Sequence, residues 1–405
     1  ISRMKRGEFS NDLVTSVVAN LKLQFQKALH ENRNRTELMK NAFIHHQSWE
    51  EAIHSIDRMQ RLNKSDIVAF ANKYLNDNYV CIYKRQGNDT TIHEMDKPSI
   101  TPIPTNNDRQ SDFLKAVVAA ESTPIKPRFI DFNTDLTRSH SRHLPVLYKH
   151  NTEDDLFELT FYYPFGSESD RRLSAAVSYL NFIGTAKHSV AWYGEQFYQL
   201  ACNYKIDVDN DETRITLSGL NEHMPQALAL LEDLLAHAQP DTATYQRYVE
   251  LELKARRDNK TNQEQNFEAL FSYARQGEYN SFRNVMSEKE LRQTNPATLT
   301  SLLAQLQSHR HQVLYYGPST LKSLCQLIDR VHTTPQQLLP APTAKLYQDQ
   351  PTPQTEVLIA PYKAQNIYMA QYTNRNKMWT PDEAPMISLF NEYFGGGMNA
   401  IVFQE

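Results

Sequence analysis

Cysteine is scarce in the sequence, and its three cysteines lie far from one another. They are Cys81, Cys202 and Cys325, and no C-x-x-C pair occurs anywhere. A small disulfide-stapled protein places an even number of cysteines at short spacings, and a cysteine-built zinc or redox site needs a close pair. The pattern therefore excludes both a disulfide framework and a thiolate metal site.

Long apolar runs and an excess of basic charge are also lacking. The longest apolar runs, such as 116–120 and 313–316, fall far short of the roughly 20 residues that a membrane-spanning helix needs. Lysine and arginine number 43 against 47 acidic residues, which gives a formal net charge of −4. The short apolar runs predict no membrane-spanning segment. Because no chain-wide basic field attracts phosphates, the sequence also predicts no nucleic-acid partner.

What is present is an ordinary globular composition. The 405 residues are 40% hydrophobic and 22% charged, far from the signature of intrinsic disorder. This length predicts two to three domains. The first residue is Ile1 rather than methionine, so we expect a trimmed precursor or a segment of a longer protein, and the compartment stays open, a cell-envelope or periplasmic parent included.

The first 87 residues resemble the end of an α+β domain. Apolar residues between Leu13 and Phe25 recur at helical spacing, and Ser48-x-x-Glu51 has the form of a capping box. A helix is expected after Ser65, followed by a strand at 79–83. Residues 88–127 are rich in proline around one short helix near 113–120, which indicates a linker.

The central region, 128–335, places strands in groups and helices in groups. Strands are predicted at 129–132, 144–149, 156–163, 204–208, 213–217 and 313–316. Helices are predicted at 171–182, 192–200, 224–236, 242–256, 262–275, 299–306 and 320–331. This order favours an α+β domain with a mainly antiparallel sheet covered by helices over a doubly wound sheet.

A second linker, 336–355, precedes what resembles the start of a further domain at 356–405. Strands are predicted there at 356–360 and 367–372, and a helix at 381–394 is followed by three glycines that indicate its end. Some 50 residues bury too little surface for a domain of this type, so we expect the natural protein to run on by about a hundred residues or more.

Residue chemistry alone indicates no active site. The sequence contains no P-loop, no HExxH or HxxEH and no G-x-S-x-G. Three groups of histidines have spacings that could bring imidazoles together. They are His46, with Glu50 and His54; His140, His143 and His150; and His309 with His311. We interpret the first group as solvated helix ends and the second as a surface turn, and the third has no adjacent carboxylate or thiolate.

Three segments carry a resemblance to a known family. Residues 165–168 read FGSE, 173–185 read LSAAVSYLNFIGT, and 217–220 read LSGL before an amphipathic helix. Residues 394–405 read FGGGMNAIVFQE, similar to an LGGGMSSRLFQE segment. In order and spacing these segments resemble the pitrilysin/insulinase family of zinc peptidases, in which paired halves form a clamshell of antiparallel sheets covered by helices. The resemblance implies that 1–87 ends the second family domain, 128–335 is the third and 356–405 begins the fourth.

Active domains of this family carry H-x-x-E-H on the helix that leads into the Gly-Thr pair. Counting back from Gly184 and Thr185, the two histidines fall on Ala175 and Tyr179 and the glutamate on Ser178. A methyl group and a neutral phenol are poor zinc ligands, and a hydroxyl cannot act as the carboxylate base. Glu250 and Glu252 lie near the expected third ligand but without imidazoles. The resemblance thus implies no metal and no catalytic residue in this chain.

On this basis the chain is expected to be the inactive half, which encloses peptide substrates and pairs with a zinc-bearing N-terminal half of the same protein. Candidates for the chamber lining are Tyr162, Phe165, Trp192, Tyr193 and Phe197, although aromatic residues at such spacings more often belong to a core. Two alternatives stay open. One is a non-enzymatic scaffold subunit of the same superfamily, and the other is an independent hydrolase built on a histidine cluster.

Overall fold

The computed structural model describes residues 1–87, 95–101, 109–121, 123–363, 366–398 and 400–404. The helices are α1 (Ser2–Lys5), α2 (Asn11–Leu29), α3 (Asn32–Ile44), α4 (Trp49–Ile53), α5 (Ser55–Met59), α6 (Lys64–Tyr74), α7 (Asp112–Ala119), α8 (Arg172–Leu180), α9 (Val190–Gln199), α10 (Met224–His237), α11 (Thr242–Asn259), α12 (Gln263–Gln276), α13 (Glu288–Gln293), α14 (Pro296–Gln305), α15 (Leu321–Val331), α16 (Ala384–Phe394) and α17 (Ile401–Gln404). The strands are β1 (Thr137–Ser141), β2 (Leu144–His150), β3 (Leu156–Tyr163), β4 (Cys202–Val208), β5 (Thr213–Leu220) and β6 (Gln312–Gly317). Parts of the predicted first linker, 88–94 and 102–108, and the motif residues Asn399 and Glu405 lie outside the described residues. None of the described helices is both long and apolar enough to cross a bilayer.

The chain divides into two compact units, and the smaller comprises Ile1–Asn11 and Arg61–Leu136. Within it α1 lies against α6, where the Asn72 side-chain amide donates to the Lys5 carbonyl at 3.0 Å. Helix α6 begins at a capping box in which Asn63 and Asp66 bond to each other's backbone N–H groups. At α7 the Ser111 side chain alone caps the helix, by accepting from the Leu114 N–H group. The helices predicted in this stretch are therefore confirmed, with small shifts of their ends.

The larger unit, Asp12–Gln60 and Thr137–Glu405, contains a six-stranded sheet. Its strand order is β1-β2-β6-β3-β5-β4, and every neighbouring pair is antiparallel except β2 with β6. The predicted α+β class with a mainly antiparallel sheet is confirmed. The predicted strands at 144–149, 156–163, 204–208, 213–217 and 313–316 correspond to β2 to β6.

Helices cover the sheet through one large hydrophobic core. Helix α8 contributes Leu173, Ala176, Tyr179 and Leu180, and these buried residues belong to the same cluster as Leu159 of β3 and Leu217 of β5. Each fully buried leucine of this kind stabilises the fold by roughly 1.5–3 kcal/mol relative to an exposed one. The packing of the 171–182 helix on the sheet, expected from the sequence, is confirmed.

Helix α2 joins the same unit through a second, smaller core. Leu23 packs with Leu156, Ala201 and Leu220, and the Asn20 side-chain amide donates to the Tyr198 carbonyl at 2.6 Å. The capping box at Ser48 and Glu51 forms as predicted and begins α4. The segment from Asp12 to Gln60 is thereby part of the sheet-bearing unit.

Four predicted strands, at 79–83, 129–132, 356–360 and 367–372, are wrong. All four segments lack regular strand structure, and most of their apolar side chains are exposed, as for Val80 at 90% and Ile367 at 93%. A β-branched and aromatic sequence fits a pleated surface, but a strand forms only where a neighbour accepts and donates its ladder of hydrogen bonds. No described residue supplies that neighbour in these segments. The helix predicted at 381–394 is confirmed as α16, which ends at Phe394 before Gly395.

Gly219 is required where β5 approaches β4. Its φ is +155°, and a Cβ atom there would lie 2.5 Å from the Ala201 carbonyl oxygen and 2.7 Å from the Cys202 sulfur. We expect Gly219→Ala to lower the free energy of unfolding by more than about 1 kcal/mol, because the strand must shift to admit the methyl group. Urea unfolding followed by circular dichroism measures the loss.

Gly194, inside α9, provides the matched control because nothing lies within 4 Å of the position of its Cβ. Gly194→Ala should raise the free energy of unfolding by about 0.5–1 kcal/mol, since alanine loses less backbone entropy in a helix. Equal effects of the two substitutions would contradict the close approach at β5.

Candidate functional site

Helix α8 carries the three positions that the family resemblance assigns to zinc chemistry. Ala175 and Ser178 are half-buried, and Tyr179 is buried. They lie on neighbouring turns of one helix, so their side chains face the same region, where α8 meets α11. The chemistry of this region therefore depends on what α11 presents.

Helix α11 presents two further aromatic rings, and with Tyr179 they form a tyrosine cluster (Tyr179, Tyr245 and Tyr248). The ring centroid of Tyr179 lies 5.2 Å from that of Tyr245 and 5.8 Å from that of Tyr248. The Tyr179 hydroxyl donates to the Asp241 carbonyl and accepts from the Asp241 N–H group, both at 2.9 Å. Tyr245 donates to the Leu291 carbonyl at 2.9 Å. The hydroxyl groups of Tyr179 and Tyr245 thus already form hydrogen bonds within the protein.

Burial keeps these phenols in the neutral form. It raises the pKa of Tyr179, of Tyr245 and of Tyr248, and for Tyr248 the Glu252 carboxylate adds to the effect. The Ser178 hydroxyl hydrogen-bonds to Tyr248. Phenols that stay protonated and already bonded make poor ligands for a divalent cation.

The nearby carboxylates are engaged with arginines. Glu250 accepts from Arg292 at 2.5 Å, which lowers the Glu250 pKa, and Glu252 accepts from Arg256 at 2.7 Å. Among the described residues, no group of three histidine, cysteine, aspartate or glutamate side chains could hold a metal ion. The residues present at α8 and α11 therefore do not fit a catalytic zinc, and the absence of zinc from this chain stays a prediction.

The Gly-Thr pair after α8 forms a tight loop. The Thr185 N–H group donates to the His188 carbonyl at 2.9 Å, and the Gln239 N–H group donates to the Gly184 carbonyl at 2.8 Å. A Cβ atom at Gly184 would lie 2.1 Å from the His188 carbonyl oxygen, so only glycine fits. The loop fixes the direction in which the chain leaves the tyrosine cluster and enters α9.

The five candidates for a chamber lining differ in exposure. Tyr162 and Trp192 are half-buried, whereas Phe165, Tyr193 and Phe197 are buried in the core. The Trp192 ring stacks on His188 with centroids 3.6 Å apart. Tyr193 donates to Asp233, and burial together with that carboxylate raises the pKa of Tyr193 to about 12. Their role as a lining stays a prediction, and Tyr162 and Trp192 have the surface with which a ligand could make contact.

The histidine groups noted in the sequence are placed differently. His54 pairs with Glu50 at 3.0 Å and with Asp57 at 2.5 Å on the surface, and His46 is exposed. His143 lies at the exposed β1–β2 turn. The first two groups are therefore surface groups, as interpreted from the sequence.

His311, from the third histidine group, belongs to a buried hydrogen-bonded cluster that the sequence did not predict. His311 is buried, and its Nε2 atom lies 2.9 Å from Nε2 of His332, whose Nδ1 atom lies 2.7 Å from Glu232. We call Glu232, His332 and His311 the buried triad. A signal existed in the sequence, because Glu232 interrupts the apolar face of α10 that Leu228, Leu231 and Leu235 define. The carboxylate that seemed to be missing beside His311 is supplied through His332.

No protein-family model matches the chain, and no curated protein matches it. Similar solved structures include a mutant of the ferredoxin protease FusC in complex with Arabidopsis ferredoxin, at 10% identity and a TM-score of 0.46, covering 86% of this chain and 42% of that chain. The periplasmic protease PqqL from Escherichia coli is 12% identical with a TM-score of 0.46, covering 86% and 41%. An inactive peptidase domain from Pseudomonas fluorescens is 14% identical with a TM-score of 0.42, covering 54% and 53%. The chain thus spans about two fifths of the first two proteins, and its fold class is assigned from its own sheet and helices.

The Tyr179 hydroxyl should stabilise the junction between α8 and the start of α11. We expect Tyr179→Phe to lower the free energy of unfolding by about 1–3 kcal/mol, because it removes both hydrogen bonds to Asp241. Tyr198→Phe, at a 41% exposed tyrosine of α9, is the matched control and should change stability by less than about 0.5 kcal/mol. Indistinguishable urea midpoints for the two variants would contradict this role of Tyr179.

Proposed function

We propose that the chain forms the non-catalytic, substrate-enclosing half of a zinc peptidase of the pitrilysin/insulinase type. The observation that carries the proposal is the state of the three register positions on α8. Ala175 and Ser178 offer no metal ligand, and the Tyr179 hydroxyl is tied to the Asp241 backbone. A helix with the family's Gly-Thr sequence after it thus serves packing at the place where an active domain would bind metal.

In this proposal zinc belongs to the partner half, where it would supply an activated water for peptide hydrolysis. The contribution of this chain is physical enclosure. A closed chamber holds the peptide near the reacting groups and excludes bulk water, so an incomplete enclosure loses turnover even when the metal site is intact. Half-buried aromatic rings such as Trp192 and Tyr162 suit contact with the apolar side chains of an extended peptide.

The domain organisation predicted from the sequence is also part of the proposal. Residues 1–87 would complete the preceding domain, 128–335 would form the enclosing domain and 356–405 would begin a further one. The six strands and α8 support the middle assignment because they lie within its bounds, whereas the sheet-bearing unit as a whole also includes Asp12–Gln60 and extends to the end of the chain. The scaffold alternative differs in one respect: its partner would carry no zinc site.

The first test concerns metal and turnover. We expect the purified chain to retain no stoichiometric zinc after dialysis and to leave a quenched fluorescent peptide uncleaved. Positioned acid–base catalysis contributes about 10²–10⁴ in rate, and Ser178 cannot supply it. Elemental analysis and fluorescence measure both results. Stoichiometric zinc together with cleavage by the chain alone would show an independent hydrolase instead.

The second part of that test mixes the chain, extended to complete its last domain, with the separately produced zinc half. Turnover of a flexible peptide should rise on mixing, because the chamber is then enclosed. A zinc half that is equally active alone would remove the proposed role. A natural partner half without any HxxEH sequence would favour the scaffold alternative.

The lining is tested by Trp192→Ala in the assembled protein. We expect the substitution to raise KM for a peptide with apolar side chains several-fold, since a half-buried ring that contacts substrate contributes about 1–2 kcal/mol. Trp379→Ala, at a tryptophan that is 67% exposed, is the matched control and should leave KM unchanged. Equal KM values for the two variants at equal stability would rule out Trp192 as part of the lining.

A further inference from the structure

The buried triad joins three elements of the larger unit in a continuous line of hydrogen bonds. Glu232 lies on α10, His332 directly after α15 and His311 directly before β6. The Nδ1 atom of His311 also lies 2.7 Å from the His309 carbonyl oxygen. The second Glu232 oxygen accepts from the Gln307 side-chain amide, in the segment that follows α14. Every polar atom of the triad therefore has a partner inside the protein.

These partners fix where the protons are. A carbonyl oxygen only accepts, so Nδ1 of His311 must carry a proton and donate it to His309. In neutral His311 the Nε2 atom then has only a lone pair, so Nε2 of His332 must be the donor across the 2.9 Å contact. One proton remains for the 2.7 Å contact between His332 Nδ1 and Glu232, on whichever atom holds it.

With this number of protons every hydrogen bond of the triad is formed, and an additional proton would break one of them. A second proton on His311 would place two N–H groups face to face at the His311–His332 contact, and that hydrogen bond would be lost. Removing the proton between His332 and Glu232 would instead face a carboxylate with a nitrogen lone pair. Both changes leave a buried polar group without a partner, which costs about 1–3 kcal/mol or more.

The surroundings oppose a charge on His311. Phe161 stacks on His332 with centroids 4.2 Å apart, and the Tyr163 ring lies 4.7 Å from that of His311. Burial lowers the pKa of His311 to about 4 despite its bond to the His309 backbone, and the neighbouring imidazoles of His332, His143 and His309 act in the same direction as burial. The titratable and charged groups that face His311 from the elements around it are Glu232, His332, His143, His309, Arg310 and Tyr163.

We propose that the buried triad is an acid-sensitive lock, which holds the end of α15 to the start of β6 and opens when His311 takes up one further proton. The segment that the lock restrains is 333–340, which follows His332. This segment lies beside the start of β6, where the Arg310 N–H group donates to the Leu339 carbonyl and the Leu339 N–H group donates to the Ser308 carbonyl. The same segment contributes Gln336, Gln337 and Leu338 to the wall of an open groove of about 450 Å³, which His143, Arg310 and Gln312 also line. Acidification should therefore loosen the groove wall first.

The sign of the pH dependence follows from the direction of the shift. The His311 pKa is depressed on folding from 6.5 to about 4, so between these values the unfolded chain binds the proton and the folded protein does not. Stability from this group is complete above pH 6.5 and falls as the pH falls to about 4. Between pH 6.5 and pH 4 unfolding takes up one proton at this group. Each unit by which the pH falls therefore raises the equilibrium constant for unfolding by up to tenfold.

The first experiment measures proton uptake on unfolding from urea transitions between pH 4 and pH 7.5. We expect His311→Phe to reduce the uptake near pH 5 by about one proton relative to the unmodified protein, whatever its effect on absolute stability. His143→Gln replaces an exposed histidine of the same groove and should leave the uptake unchanged. An uptake that is unchanged in His311→Phe, or reduced equally in His143→Gln, would overturn the proposal.

The second experiment reads the protons directly by NMR of protein labelled with ¹⁵N-histidine at pH 7. The His311 signals should show a proton on Nδ1 and a lone pair on Nε2, and they should show no titration near pH 6.5. Glu232→Gln offers an amide N–H to His332 and an amide oxygen to Gln307, so it should preserve this pattern. Glu232→Leu leaves Nδ1 of His332 without its partner, so the His332 Nδ1 signal should differ between the two variants while His311 keeps its proton on Nδ1. A proton on His311 Nε2 in the unmodified protein, or identical His332 Nδ1 signals for the two Glu232 variants, would show that the triad does not hold protons in this order.

Discussion

Strand β3 is the element on which the larger unit depends, because it is a central strand of the sheet and carries a row of almost completely buried side chains. It pairs with β5 along its whole length and with β6 along most of it. Leu159, Phe161 and Tyr163 alternate along it and are almost completely buried, so one face of the strand forms the floor of the core. Loss of this strand would separate β6 from β5 and expose the helices α8 and α10 that pack on the sheet.

Two kinds of polar chemistry are buried on this scaffold, and each is satisfied internally. The tyrosine cluster directs the Tyr179 hydroxyl to the Asp241 backbone before α11 and the Tyr245 hydroxyl to the Leu291 backbone of α13. The buried triad instead links charged or chargeable groups through one another. Neutral groups that are bonded to the backbone add rigidity at low electrostatic cost, whereas titratable groups in the core make the same rigidity depend on pH.

The two features also bear differently on function. In the proposed function, the tyrosine cluster suits an enclosing half because it makes α8 a packing helix. The buried triad does not depend on that role, since it concerns how β6, α10 and α15 are held together. The proposed enclosure and the proposed response to acid therefore depend on separate parts of one core.

The sequence by itself determined most of the helices and the five strands β2 to β6, because periodicity and capping are local properties of the chain. It did not predict α3, α13 or strand β1. It misjudged the strands at 79–83, 129–132, 356–360 and 367–372, since strand formation requires a partner that local sequence cannot reveal. It also gave no means of joining Glu232 to His332 and His311, which are far apart along the chain. Only the tertiary structure decided that these three side chains meet, because the packing of α10 against α15 and of both helices on the sheet brings them within hydrogen-bonding distance.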